Sequence, residues 1–104
     1  MTIQFNPSEN LAADEEFKDK LTSSLSHGLT GFSDQITRLE VFISSENGQQ
    51  FGLNDKKCLL AASVKGMAPI IVSADANNFQ VAVYSAIDKL RPLLDSILGR
   101  LSNH

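Results

Sequence analysis

Polar and apolar residues alternate from Thr2 to Asn6, with Ile3 and Phe5 on one face, and the pattern stops at Pro7, which has no ladder N–H to donate. This is a short first strand. Beyond a polar loop, Phe17, Leu21 and Leu25 recur four residues apart behind the acidic run Asp14-Glu15-Glu16, which predicts an amphipathic helix. Asp14 is read as its N-cap, with Ser8 or Asn10 as earlier alternatives, and Gly28 and Gly31 bracket its end. From Ile36 the period becomes two: Leu39, Val41 and Ile43 share one face, and Arg38, Glu40, Phe42 and Ser44 the other. A polar stretch punctuated by Asn47-Gly48 and Gly52 runs to Asp55, long enough for a mobile surface loop. Cys58 to Val64 then reads as a third strand, Lys65-Gly66 as a tight turn, and Ile70-Ile71-Val72 as a fourth strand with Pro69 at its start.

The last third carries the strongest period. Phe79, Val83, Ile87, Leu90, Leu94, Ile97 and Leu101 form one helical stripe, widened by Ala82, Ala86, Leu93 and Leu98. Asp75, Asn77 and Asn78 supply capping oxygens, and Pro92 removes a hydrogen bond near Asp88, so a bend is expected around Arg91. The order is βαβββα, with the last three strands in an antiparallel meander. Two apolar helix stripes are both buried only if the helices lie side by side on one face of the four-stranded sheet, an α+β architecture.

Composition narrows the function classes. At 104 residues, 42% hydrophobic and 20% charged, the chain suits one domain spanning 1–104, with one core and no need of disulfides or a structural metal. A net charge of -3 gives no bulk attraction to nucleic acid or anionic lipid, so any RNA contact must rest on a local patch. One cysteine and two histidines exclude a Cys/His zinc framework. There is no apolar run of membrane-spanning length and no signal-peptide pattern at Met1-Thr2-Ile3-Gln4-Phe5, which points to the cytoplasm.

Catalytic constellations are missing. His27 has no nucleophile beside it in sequence and suits a helix C-terminus, where the dipole favours positive charge. Cys58 is flanked by Leu59 and Leu60 and reads as a packed thiol. Asp14, Glu15 and Glu16 point in different directions around a helix and complement its dipole rather than form a metal or acid/base site. Gly28-Leu29-Thr30-Gly31 matches a G-x-x-G nucleic-acid loop but lacks a basic residue between the glycines and leads into a strand, so it reads as a helix stop. No enzyme, cofactor or metal is expected. Lys18 and Lys20 project from the first helix, Lys89, Arg91 and Arg100 from the second, and Arg38, Lys57 and Lys65 from the strands. With Asp19, Asp88 and Asp95 among them, a local basic surface is the most they can form.

The second-helix series Phe79, Ala82-Val83, Ile87-Asp88-Lys89-Leu90 and Leu94, with the opening strand Met1 to Asn6 and the stripe Phe17, Leu21 and Leu25, resembles the ribosome hibernation promoting factor and factor Y family over nearly the whole chain. The resemblance implies a βαβββα domain, similar in shape to double-stranded RNA-binding domains. It implies that a basic helical surface docks on small-subunit ribosomal RNA, in the channel used by messenger and transfer RNA, and holds idle ribosomes inactive. It implies a short form without a C-terminal dimerisation domain, with the small subunit as partner and neither DNA nor membrane. Lys18, Lys89 and Arg100 fall at positions that tend to be basic in the family and, with Arg91, are the candidate RNA contacts. His27 sits where lysine is common. Ser24, Pro92, Ser96 and Asp75 replace residues that are often basic, and the usual lysine-rich end is Leu101-Ser102-Asn103-His104. These departures support an alternative: a divergent binding module of the same fold for a protein or small ligand.

Overall fold

The computed structural model describes residues 1–8, 11, 14–45 and 55–102, the last three of these by backbone alone. Six elements follow in order: β1 (Thr2–Pro7), α1 (Glu15–Gly28), β2 (Ile36–Ser45), β3 (Lys56–Val64), β4 (Ile70–Ala76) and α2 (Phe79–Ser102). The polar stretch 46–54, Asn10, Asn103 and His104 lie outside the described residues.

The strands form one sheet in the order β1-β2-β3-β4. β2, β3 and β4 make the expected antiparallel meander, while β1 adds to β2 in parallel, with Ile3 opposite Leu39 and Phe5 opposite Val41. A parallel pair needs a crossover long enough to return the chain, and α1 supplies it. Register places Leu39, Val41, Ile43, Cys58, Leu60, Ala62, Val72, Ala74 and Ala76 on one face, all buried. Leu21 and Leu25 of α1 and Val83, Ile87, Leu90 and Leu94 of α2 join the same cluster, so both helices cover that face.

One strand departs from a plain two-residue period. Ile36 and Leu39 are three apart yet both are buried, because the ladder shifts register between Ile36 and Arg38. The bulge turns Ile36 back to the core. Thr37, the extra residue, donates its hydroxyl to the Ser63 carbonyl at 3.1 Å. At the next corner Gly66 has φ +81, and Met67 N–H closes the turn onto Val64 O at 3.0 Å.

Both helices begin as the sequence predicts. Asp14 Oδ1 accepts from Phe17 N–H at 2.8 Å, and Asn78 Oδ1 accepts from Val81 N–H at 2.8 Å, each satisfying an orphan donor of the first turn. α2 is unbroken across Pro92. Leu93 departs from expectation: it is 43% exposed rather than widening the buried stripe. Leu93 follows Lys89 by one turn, on the margin of the stripe that faces the β4 edge rather than at its centre. Leu94, on the centre of the stripe, stays fully buried.

Candidate nucleic-acid interface

Three contacts fix how the helices sit together. The Phe17 and Phe79 rings meet edge to face at 5.6 Å, Gln80 Nε2 donates to Ser24 Oγ at 2.6 Å, and Gly28 lies against Ile87. These pairs advance together along both chains, so α1 and α2 run side by side in the same direction. A Cβ on Gly28 would stand 2.9 Å from Ile87 Cδ1. The glycine is therefore what lets the helices close.

On α1, Phe17, Ser24 and Gly28 define the side facing α2. Lys18 is about 100° away from Phe17 around the helix axis, on the flank turned from α2, and pairs with Glu15 at 4.0 Å. On α2, Lys89 points the other way, to the β4 edge, where Nζ donates to Ser73 O at 2.8 Å. The two lysines stand on opposite flanks of the helix layer rather than on one shared surface. Arg91 is exposed on the α1 side of α2, in line with Gln80 and Tyr84. The Arg100 side chain lies outside the described residues.

The outward cleft between the helices is an open furrow of about 540 Å³ lined by Glu16, Asp19, Lys20, Ser23, Ser24 and Gln80. Tyr84 follows Gln80 by one turn and is 51% exposed. Lys20 and Tyr84 are absent from the candidate contacts read from sequence. The signal for Lys20 was its place four residues before Ser24, on the flank that meets α2; for Tyr84 no pattern separates it from an ordinary solvated position. Charge across the layer nearly cancels: α1 carries three acids against two lysines, and α2 two acids against three bases.

Arg38, Asp55 and Cys58 have structural surroundings. Arg38 on the open face of the sheet pairs with Glu40 at 3.2 Å and donates to Gln4 Oε1. The buried Asp55 takes two hydrogen bonds from Lys56 Nζ, each 3.1 Å. Cys58 is fully buried, and desolvation pushes its thiol up to about 12. A protonated thiol is a poor nucleophile and metal ligand. Among the described residues, no three His, Cys, Asp or Glu side chains gather to hold a metal, and no helix is long and apolar enough to cross a membrane.

The fold is thus an α+β layer pair, a mixed four-stranded sheet with two parallel helices on one face, reached in the order βαβββα. No protein-family model matches the chain, and no curated protein matches it. Solved structures do. A ribosomal subunit interface protein from Coxiella burnetii superposes with a TM-score of 0.75 at 17% identity, covering 95% of this chain and 99% of that one. The N-terminal domain of Thermus thermophilus Protein Y superposes with a TM-score of 0.71 at 16% identity, covering 93% and 99%. The fold implied by the resemblance to the hibernation factors is the fold observed.

Proposed function

We propose that the chain is a non-enzymatic ribosome-associated factor that docks on small-subunit ribosomal RNA through its helix layer and holds idle ribosomes inactive in the cytoplasm. The observation that supports this most is end-to-end likeness of fold to a ribosomal subunit interface protein and to a Protein Y domain. Lys18, Lys89, Arg91 and Arg100 are the proposed phosphate contacts, acting by shape and charge rather than by sequence. Lys18 and Lys89 each have a partner within the chain, Glu15 and Ser73 O, whereas Arg91 stands exposed on the α1 side of α2.

The near-neutral helix layer favours the second reading, in which the same fold serves a protein ligand. Cosedimentation with small ribosomal subunits separates them. With three or four phosphate contacts, affinity falls roughly 40- to 150-fold between 50 and 200 mM salt. An Arg91→Glu, Arg100→Glu variant loses binding while its melting temperature holds. Lys89 is a poorer choice, since a carboxylate there would face the Ser73 carbonyl and disturb the β4 edge. Binding that ignores both salt and the double reversal would favour the protein ligand.

A further inference from the structure

We infer that the open face of the sheet pairs with the same face of a second copy of this chain, around an apolar patch made by Phe42, Leu59, Ala61 and Ile71. The inference goes beyond the ribosome reading and does not depend on it. Sheet register brings the four side chains together: Phe42 stands opposite Leu59, Ala61 stands opposite Ile71, and Leu59 and Ala61 are two apart on β3. Each alternates with buried core residues, so all four point away from the helices. Ile71 is 61% exposed and Phe42 40%. Apolar side chains gathered into one exposed patch, with Ser63 and Ser73 at its rim, fit a protein contact rather than a solvated sheet.

Charge around the patch identifies the occupant. Arg38 and Glu40 form an ion pair at one corner, on β2, while Lys57 and Asp75 stand opposite each other across β3 and β4 at the diagonally opposite corner. A two-fold axis lying between two such faces, through the middle of the patch, carries each corner over the other. Arg38 then faces Asp75 of the second copy and Glu40 faces its Lys57, and symmetry makes each pair twice while the patch closes on itself. A different protein would have to supply that order of charges, whereas a second copy already has it. Four strands about 4.8 Å apart, with about six residues of each at about 3.4 Å rise, present a face of roughly 400 Å² per copy, small for a specific contact, so the association is weak. Both helix layers point outward from such a dimer.

Sedimentation velocity of the full chain from about 10 μM to about 2 mM, the range of a weak contact, should show the 11.3 kDa monomer giving way to a species of twice that mass. Ile71→Lys should stay monomeric throughout, with the circular dichroism spectrum of the parent. Glu40→Lys and Lys57→Glu should each weaken the dimer at least about fivefold, since each sets like charges face to face twice. An equimolar mixture of these two variants should associate within about threefold of the parent, because each reversed charge then meets its opposite on the other chain. Rescue on mixing is specific to a two-fold contact through these residues. A parent that stays monomeric across that range would overturn the inference and leave the face to a different protein. A dimer indifferent to Ile71→Lys, or a mixture that gains nothing over either variant alone, would overturn it too. None of these positions lies on the helices, so cosedimentation of the same variants with small ribosomal subunits tests the ribosome reading separately.

Discussion

At the residue scale, Cys58 shows how burial decides chemistry. Its thiol sits in the sheet core under α2, and desolvation carries its pKa from 9.0 to about 12. Because the unfolded chain releases this proton first, the thiol's contribution to stability is complete below about pH 9 and is lost as pH rises toward 12. Urea unfolding of the parent above pH 9 should therefore fall more steeply with pH than that of Cys58→Ala, and the native thiol should resist alkylation until the chain opens. Equal slopes would show that the thiol ionises as readily folded as unfolded. Gly28 has the opposite character, being significant for what it lacks. Gly28→Val would force two methyls against Ile87 and should cost about 1–3 kcal/mol, read as a shift in urea midpoint. An unchanged midpoint would mean that the helices do not close there.

At the scale of elements, α2 carries most of the fold's information. Replacing Ile87, which is 3% exposed, by Asp would bury an unpaired carboxylate and should cost several kcal/mol, comparable to a small domain's whole stability. Removing the cap with Asn78→Ala should cost about 1 kcal/mol, visible as a few degrees of melting temperature. These elements were legible because their signals are local: a 3.6-residue period with capping side chains in α1 and α2, and a two-residue period in β2 to β4. The bulge at Thr37 was not legible, since its cause is the mate strand: Val64 and Ser63 set the register that Ile36 and Arg38 must meet. Nor was the parallel addition of β1, which depends on where α1 delivers the chain. Leu93 fits the helical period and is exposed all the same, because it stands on the margin of the stripe, one turn beyond Lys89 at the β4 edge.

At the scale of the molecule, the helix layer is where the candidate site was least legible. Counting basic residues along α1 and α2 gives no sense of which flank each occupies. Lys18 and Lys89 prove to face opposite sides and to have partners at Glu15 and Ser73, while Lys20 lines the furrow. The sheet's other face is different in kind, with Phe42 and Ile71 exposed beside Leu59 and Ala61. The proposed RNA contact lies on the helices, so orientation on the ribosome tests it most directly. Buried Cys58 makes that orientation directly measurable, because a reagent attached to an added surface cysteine has no competing thiol in the folded chain. An iron chelate at Ser23→Cys in the furrow, and another at Ile71→Cys on the sheet, would each generate hydroxyl radicals beside the small subunit. The account predicts strong ribosomal RNA cleavage from position 23 and weak or none from position 71. Cleavage from position 71, with position 23 silent, would contradict it.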